Sequence, residues 1–156
     1  MEPITQTVLS ILGGILISAI TSIITVRLAL KQFYSQKWWE RKADAYSTII
    51  EALYHVQNDL GSVFSDAIGE IQLSEERKKI LAEDSKKGYA EIYKAEGIGA
   101  FVISKEAAQS LTQLRRRFNS EDPSMNWVER INNDFSAVEK CLKEIRYHAK
   151  RDLHIK

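Results

Sequence analysis

The stretch PITQTVLSILGGILISAITSIITV, residues 3–26, decides how this chain is read. It contains no charged side chain. At about 1.5 Å of rise per residue it makes a helix of roughly 36 Å, enough to cross a hydrocarbon core of about 30 Å. Inside lipid the backbone must satisfy its own hydrogen bonds, so a lone span has to be helical. The run is read as a retained span, about residues 4–27, and not as a cleaved leader, because Glu2 and no basic residue precedes it.

The flanks orient the span. Glu2 is the only charged side chain before it, whereas Arg27, Lys31, Lys37, Arg41 and Lys42 follow. The excess of Lys and Arg places the carboxyl-terminal part in the cytoplasm and the amino tail outside. Residues 1–30 therefore form a transmembrane anchor and residues 31–156 a cytoplasmic helical domain. Trp38 and Trp39 are read either as headgroup-level aromatics of a tilted helix or as core aromatics of the next segment.

Within the run, Ser10, Gly14, Ser18 and Ser22 recur at every fourth position and so share one helical face. Small residues at this spacing let helix backbones approach, and hydroxyls can bond across the contact. Another copy of the helix rewards that face better than lipid does. The expected partners are thus membrane lipid and a homo-oligomer of this chain, with a lumen along the stripe as an extension.

The remaining residues suit one cytoplasmic domain. Two prolines and seven glycines in 156 residues favour long helices. A net charge of +1 gives no argument for a DNA or RNA polymer as partner. Trp39, Tyr46, Leu53 and Leu60 repeat at seven-residue spacing, with Ile49, Val56 and Val63 interleaved. The first helix is expected to run on as one rod, packing against its own domain or as a parallel coiled coil. Ser74 before Glu75 and Glu76 marks a second helix, which Gly97 and Gly99 stop. Residues 100–103 read as a short extended segment or a buried loop. Ser104 caps a third helix, with Ala108, Leu111, Leu114 or Arg115, and Phe118 on its inner face. The loop 119–124 leads to a last helix from about Met125, with Val128, Ile131, Phe135, Val138, Leu142, Ile145 and Ala149 at three-four spacing. The fold class is all-α: a single amino-terminal transmembrane helix continuing into a helical bundle with coiled-coil-like packing.

No catalytic pattern is present in the sequence, so an enzyme is not expected. His55, His148 and His154 share no helical face and have no cysteine pair beside them, so neither a metal nor a cofactor is expected. Cys141 is the single cysteine and is read as a small apolar core residue. The candidate ligand site is anionic in preference. Gly97, Gly99, Ser104 and Lys105 bring backbone amides and a cation to a helix start, Lys94 lies nearby, and Arg115 and Arg116 offer phosphate forks. Tyr89, Tyr93 and Trp127 are candidates for base stacking, although Tyr93 and Trp127 at helical spacing are read first as core.

Two phrases carry a resemblance. The first is Lys37-Trp38-Trp39-Glu40-Arg41-Lys42-Ala43-Asp44-Ala45-Tyr46, leading into Ile49-Ile50-Glu51-Ala52-Leu53. The second is Gly97-Ile98-Gly99-Ala100-Phe101-Val102-Ile103-Ser104-Lys105-Glu106-Ala107, followed by Leu111 and Leu114. Together they resemble a broad group of small bacterial membrane-anchored proteins, largely without assigned activity. In architecture the chain is similar to the membrane effectors of type III CRISPR antiviral systems, which respond to cyclic oligoadenylates. The resemblance implies an inner-membrane anchor, a cytoplasmic domain that senses an intracellular signal with a cyclic oligoadenylate as ligand, and an oligomeric anchor that perturbs the membrane. The competing reading is a membrane-anchored scaffold whose helical domain docks a protein partner.

Overall fold

Four helices make up the described chain: α1 (Glu2–Ala67), α2 (Glu75–Gly99), α3 (Lys105–Phe118) and α4 (Trp127–Asp152). The structure is a computed structural model; it describes the backbone of residues 2–99, 101–120 and 124–155, and the side chains of residue 14 and residues 17–97, 101–120 and 124–155. Among the described residues the protein is all-α, without a strand. It divides into two compact units, Met1–Glu40 and Arg41–Lys156.

The first unit is the leading part of α1, which continues unbroken to Ala67 as the lack of proline and glycine between Val26 and Gly61 leads one to expect. Gly61 does not end it. Among the described residues no helix is long and apolar enough to cross a membrane. Most side chains in the amino half of the uncharged run, Ser10 of the expected stripe among them, lie outside the described residues. Gly14, Ser18 and Ser22 are described and exposed. Three hydroxyls of the run turn inward to its own backbone: Thr21 donates to the carbonyl of Ile17, Ser22 to that of Ser18 and Thr25 to that of Thr21, each at 2.8 Å. They are therefore not free donors for a neighbouring helix in this arrangement. Trp38 and Trp39 are 48% and 47% exposed, so neither is a core aromatic.

The second unit is built on the seven-residue repeat. Tyr46, Ile49, Leu53 and Val56 of α1 are buried against Leu111 and Leu114 of α3, Ile92 of α2 and Val138, Leu142 and Ile145 of α4. The repeat is thus spent on packing inside the chain. Each such large apolar side chain contributes about 1.5–3 kcal/mol when fully buried. Where α2 meets α1 the backbones come close. A Cβ at Gly88 would lie 2.8 Å from the Ala52 carbonyl oxygen and 3.0 Å from Val56 Cγ2, so only glycine fits that crossing.

Local chemistry sets the ends. After Ala67 the chain turns through Gly69 at φ +78°, a left-handed conformation that glycine adopts without steric cost. Asp66 ties the turn down, accepting from the Leu73 amide at 2.9 Å and pairing with Lys78 at 3.2 Å. The Ser74 hydroxyl accepts from the Arg77 amide at 3.2 Å and starts α2, which runs through Gly97 and ends at Gly99. Residues 101–103 form a turn, with Phe101 79% exposed and Ile103 buried, so the block is neither extended nor wholly interior. Ser104 caps α3 as expected. On α3 the buried face is Ala107, Ser110, Leu111 and Leu114, one position away from the expected Ala108. α4 begins at Trp127, two residues after Met125, because Asn126 and Glu129 form a reciprocal capping box. Pro123, in the expected loop, lies outside the described residues.

Candidate functional site

The expected ligand residues fall at two places. Ser104 and Lys105 stand at the amino end of α3, and Arg115 and Arg116 near its carboxyl end. Arg115 lies eleven residue steps along the helix from Ser104, roughly 16 Å along the axis. One small anion cannot bridge them. The expected residues thus stand in two regions, Ser104 and Lys105 at one end of α3 and Arg115 beside Glu96 of α2 at the other.

The amino end of α3 is already supplied with carboxylates. Tyr46, fully buried on α1, donates its hydroxyl to Asp152 at the end of α4. The same phenol oxygen accepts from the Ser104 amide at 3.3 Å and lies 3.2 Å from Ser104 Oγ. Ser104 Oγ in turn accepts from the Ala107 amide at 3.4 Å. Arg151 joins the cluster, with Nη2 3.0 Å from Glu106 Oε2 and Nε 3.2 Å from Asp152 Oδ1. Burial and the carboxylate acceptor push the Tyr46 phenol up. Burial would raise the Asp152 carboxyl too, but hydrogen bonds from Tyr46, Ser104 and Arg151 outweigh it and hold Asp152 below its ordinary range. Glu106 is held low by its own backbone amide and by Arg151. Two anions thus face the positive end of the α3 dipole, where an incoming phosphate would have to compete with them. Lys105 is exposed at the edge of this cluster.

The arginine run is divided among neighbours. Arg115 Nε lies 2.8 Å from Glu96 Oε2 on α2, and Arg117 Nε lies 3.6 Å from Asp134 Oδ1 on α4. Arg117, partly buried, is the one of the three that meets the core boundary. Arg116 is exposed, and among the described residues no carboxylate lies within ion-pair distance of it. Lys94 is exposed and engaged with Glu91 at 3.2 Å. Gly97 is exposed on α2 with open space around it; Gly99 ends the helix and its surroundings lie outside the described residues.

The aromatic candidates separate as well. The Tyr89 ring meets Phe118 edge to face, with centroids 5.1 Å apart. Tyr93 and Trp127, read first as core, are 41% and 60% exposed. Between α3 and α4 lies a groove of about 180 Å³ lined by Ser110, Gln113, Arg117, Lys140 and Cys141. It is smaller than the usual range for a bound small molecule, about 300–1,000 Å³. Cys141 packs as the small core residue expected of it, its thiol 3.7 Å from the Ser110 carbonyl oxygen. Burial pushes that thiol up to about 12. A wider depression of about 320 Å³ beside Tyr54, Gln57, Asn58, Ser62 and Phe135 carries no cation. Among the described residues no group of three or more His, Cys, Asp or Glu is placed to hold a metal.

The clasp of Tyr46, Ser104 and Asp152 escaped the sequence reading. Tyr46 was placed by its repeat as an apolar position, yet a buried tyrosine hydroxyl demands a partner, and that demand was the available signal. No protein-family model, no curated protein and no solved structure matches the chain.

Proposed function

We propose that this chain is a single-pass bacterial inner-membrane protein whose cytoplasmic helical unit docks a protein partner. Its span is the uncharged run of about residues 4–27, with the amino tail outside. Support for the span comes from the sequence, which carries no charged side chain between Glu2 and Arg27. The observation that carries the docking role is the use of charge. Arg115 and Arg117 are committed to Glu96 and Asp134, and Arg151 to Glu106 and Asp152 beside the α3 amino end, whereas Phe101 and Trp127 stand exposed.

A second reading, an antiviral effector that senses a cyclic oligoadenylate and perturbs the membrane through an oligomer, is favoured by two features. Arg116 is exposed with no carboxylate in reach among the described residues, and Gly14, Ser18 and Ser22 share a face on which copies can pack. One experiment separates the two. The full chain in detergent is melted with and without cyclic oligoadenylates at 100 times a working dissociation constant. A bound ligand stabilises by about 2.7 kcal/mol. No shift is expected under docking; a shift that Arg116→Glu removes replaces docking by the effector. A reporter fused after Lys156 tests the topology, since periplasmic activity there overturns the orientation.

A further inference from the structure

Arg27, Lys31, Tyr34 and Trp38 follow one another at spacings of four, three and four residues on the unbroken α1 helix of the first unit. At about 100° per residue these positions fall within roughly 60° of arc. All four are exposed, Tyr34 at 66% and Trp38 at 48%. No acidic residue occurs between Glu2 and Glu40, so the two cations have no carboxylate one turn away on their own helix. Glu40 pairs instead with Lys37, at 2.7 Å. Gln32 and Gln36 occupy the opposite side. The result is a basic and aromatic strip opposite Gln32 and Gln36, with Phe33, Lys37, Trp39 and Glu40 elsewhere on the helix circumference.

We infer that Arg27, Lys31 and Tyr34 of this strip lie against the anionic phospholipid headgroups of the cytoplasmic leaflet and set the direction in which the helix tilts. The inference rests on the membrane-span part of the proposal above and adds to it a lipid class and a side. Charge complementarity and direct continuity with the uncharged run favour lipid as the occupant. Cations immediately after a span are drawn to the negative leaflet surface, and tyrosine and tryptophan settle at headgroup level. Upright, the helix would lift Trp38 roughly 16 Å above Arg27, beyond a headgroup layer of about 5–7 Å. The run of roughly 36 Å also exceeds a core of about 30 Å, and a tilt of roughly 35° absorbs the difference. A tilt toward the strip brings Arg27, Lys31 and Tyr34 into the headgroups. A tilt away would strand them in water.

The test uses the full chain in vesicles of phosphatidylcholine, alone or mixed with phosphatidylglycerol. Trp38, Trp39 and Trp127 are replaced by Phe, and a single reporter is introduced as Tyr34→Trp or as Gln36→Trp. With a quencher carried at headgroup depth, Tyr34→Trp is expected to be quenched and Gln36→Trp spared, most strongly when phosphatidylglycerol is present. Arg27→Gln with Lys31→Gln should erase the difference while the chain stays resistant to carbonate extraction. Equal quenching of both reporters in a carbonate-resistant chain overturns the inference and leaves the span intact. Extraction by carbonate overturns the span itself. A gel shift of single-stranded RNA that the double substitution abolishes, without asymmetric quenching, reassigns the strip to nucleic acid and overturns the lipid assignment.

Discussion

Arg115 on α3 closes onto Glu96 on α2, Nε to Oε2 at 2.8 Å, and the carboxylate side chain is only 12% exposed. A residue that looked like a phosphate fork in the sequence is thereby an internal tie between two helices. Because the arginine keeps 47% of its exposure, the pair is partly screened. Removing Arg115 costs more than a surface pair would, since it leaves Glu96 with little water and no cation.

Arg115→Ala should lower stability by about 1 kcal/mol and Arg115→Glu by about 2 kcal/mol. Exchanging the charges, with Glu96→Arg added to Arg115→Glu, should recover part of the loss. Urea unfolding of these proteins and of the single Glu96→Arg variant checks this, and additive losses would show that the two side chains do not interact.

The clasp should govern acid stability. Asp152 has a folded value below its ordinary 3.8, so it contributes stability that is complete above that value and lost as pH falls through the lower folded value. Glu106 acts in the same sense below its ordinary 4.5. Asp134, raised mainly by burial, acts in the opposite sense near 3.8. Tyr46→Phe removes one of the bonds that lower Asp152 and should cost about 1–3 kcal/mol at neutral pH. Its melting temperature should also fall less steeply than the parent's between about pH 5 and pH 2. Circular dichroism across that range decides the point; parallel curves would remove the phenol from the acid response.

Two glycines of α2 should respond with opposite signs to the same substitution. At Gly88 an added methyl meets the Ala52 carbonyl at 2.8 Å, a backbone atom that cannot rotate away. Gly88→Ala should therefore destabilise by about 1–3 kcal/mol despite the better helix propensity. At Gly97 nothing lies within 4 Å, and Gly97→Ala should stabilise by about 0.5–1 kcal/mol. Melting temperatures of the two variants measured side by side test the crossing.

Cys141 should be silent toward thiol reagents. It is 4% exposed, and with its thiol pushed up to about 12 almost no thiolate forms at pH 8. Labelling with an aromatic disulfide should proceed only at the rate of unfolding and rise sharply in denaturant. Fast labelling of the native chain would contradict the packing described.

Periodic and local features were legible in the sequence. Tyr46, Ile49, Leu53 and Val56 repeat because one face of a helix is buried, and Ser74 and Ser104 sit where helix-start amides need an acceptor. Trp39 follows the same repeat yet is half exposed, because the repeat tells which face would be buried and not where the neighbouring helices end. The internal pairing of Arg115 and Arg117 was not legible, for another reason. Adjacent residues on a helix point in different directions, and here two of them meet carboxylates supplied by α2 and α4. Such partners lie far along the chain and leave no periodic trace. Asp152 is the clearest instance, the last residue of α4 and the acceptor for Tyr46.

That bond joins positions 106 residues apart. Bringing ends so distant together is opposed by loop entropy until the intervening helices have shortened the path between them. The clasp should consequently form after the folding barrier is crossed, when α1, α2 and α3 are already packed. An interaction absent from the transition state slows unfolding and leaves the folding rate nearly unchanged. Tyr46 and Asp152 would then act as a timing device: they lengthen the stay in the folded state without hastening its arrival.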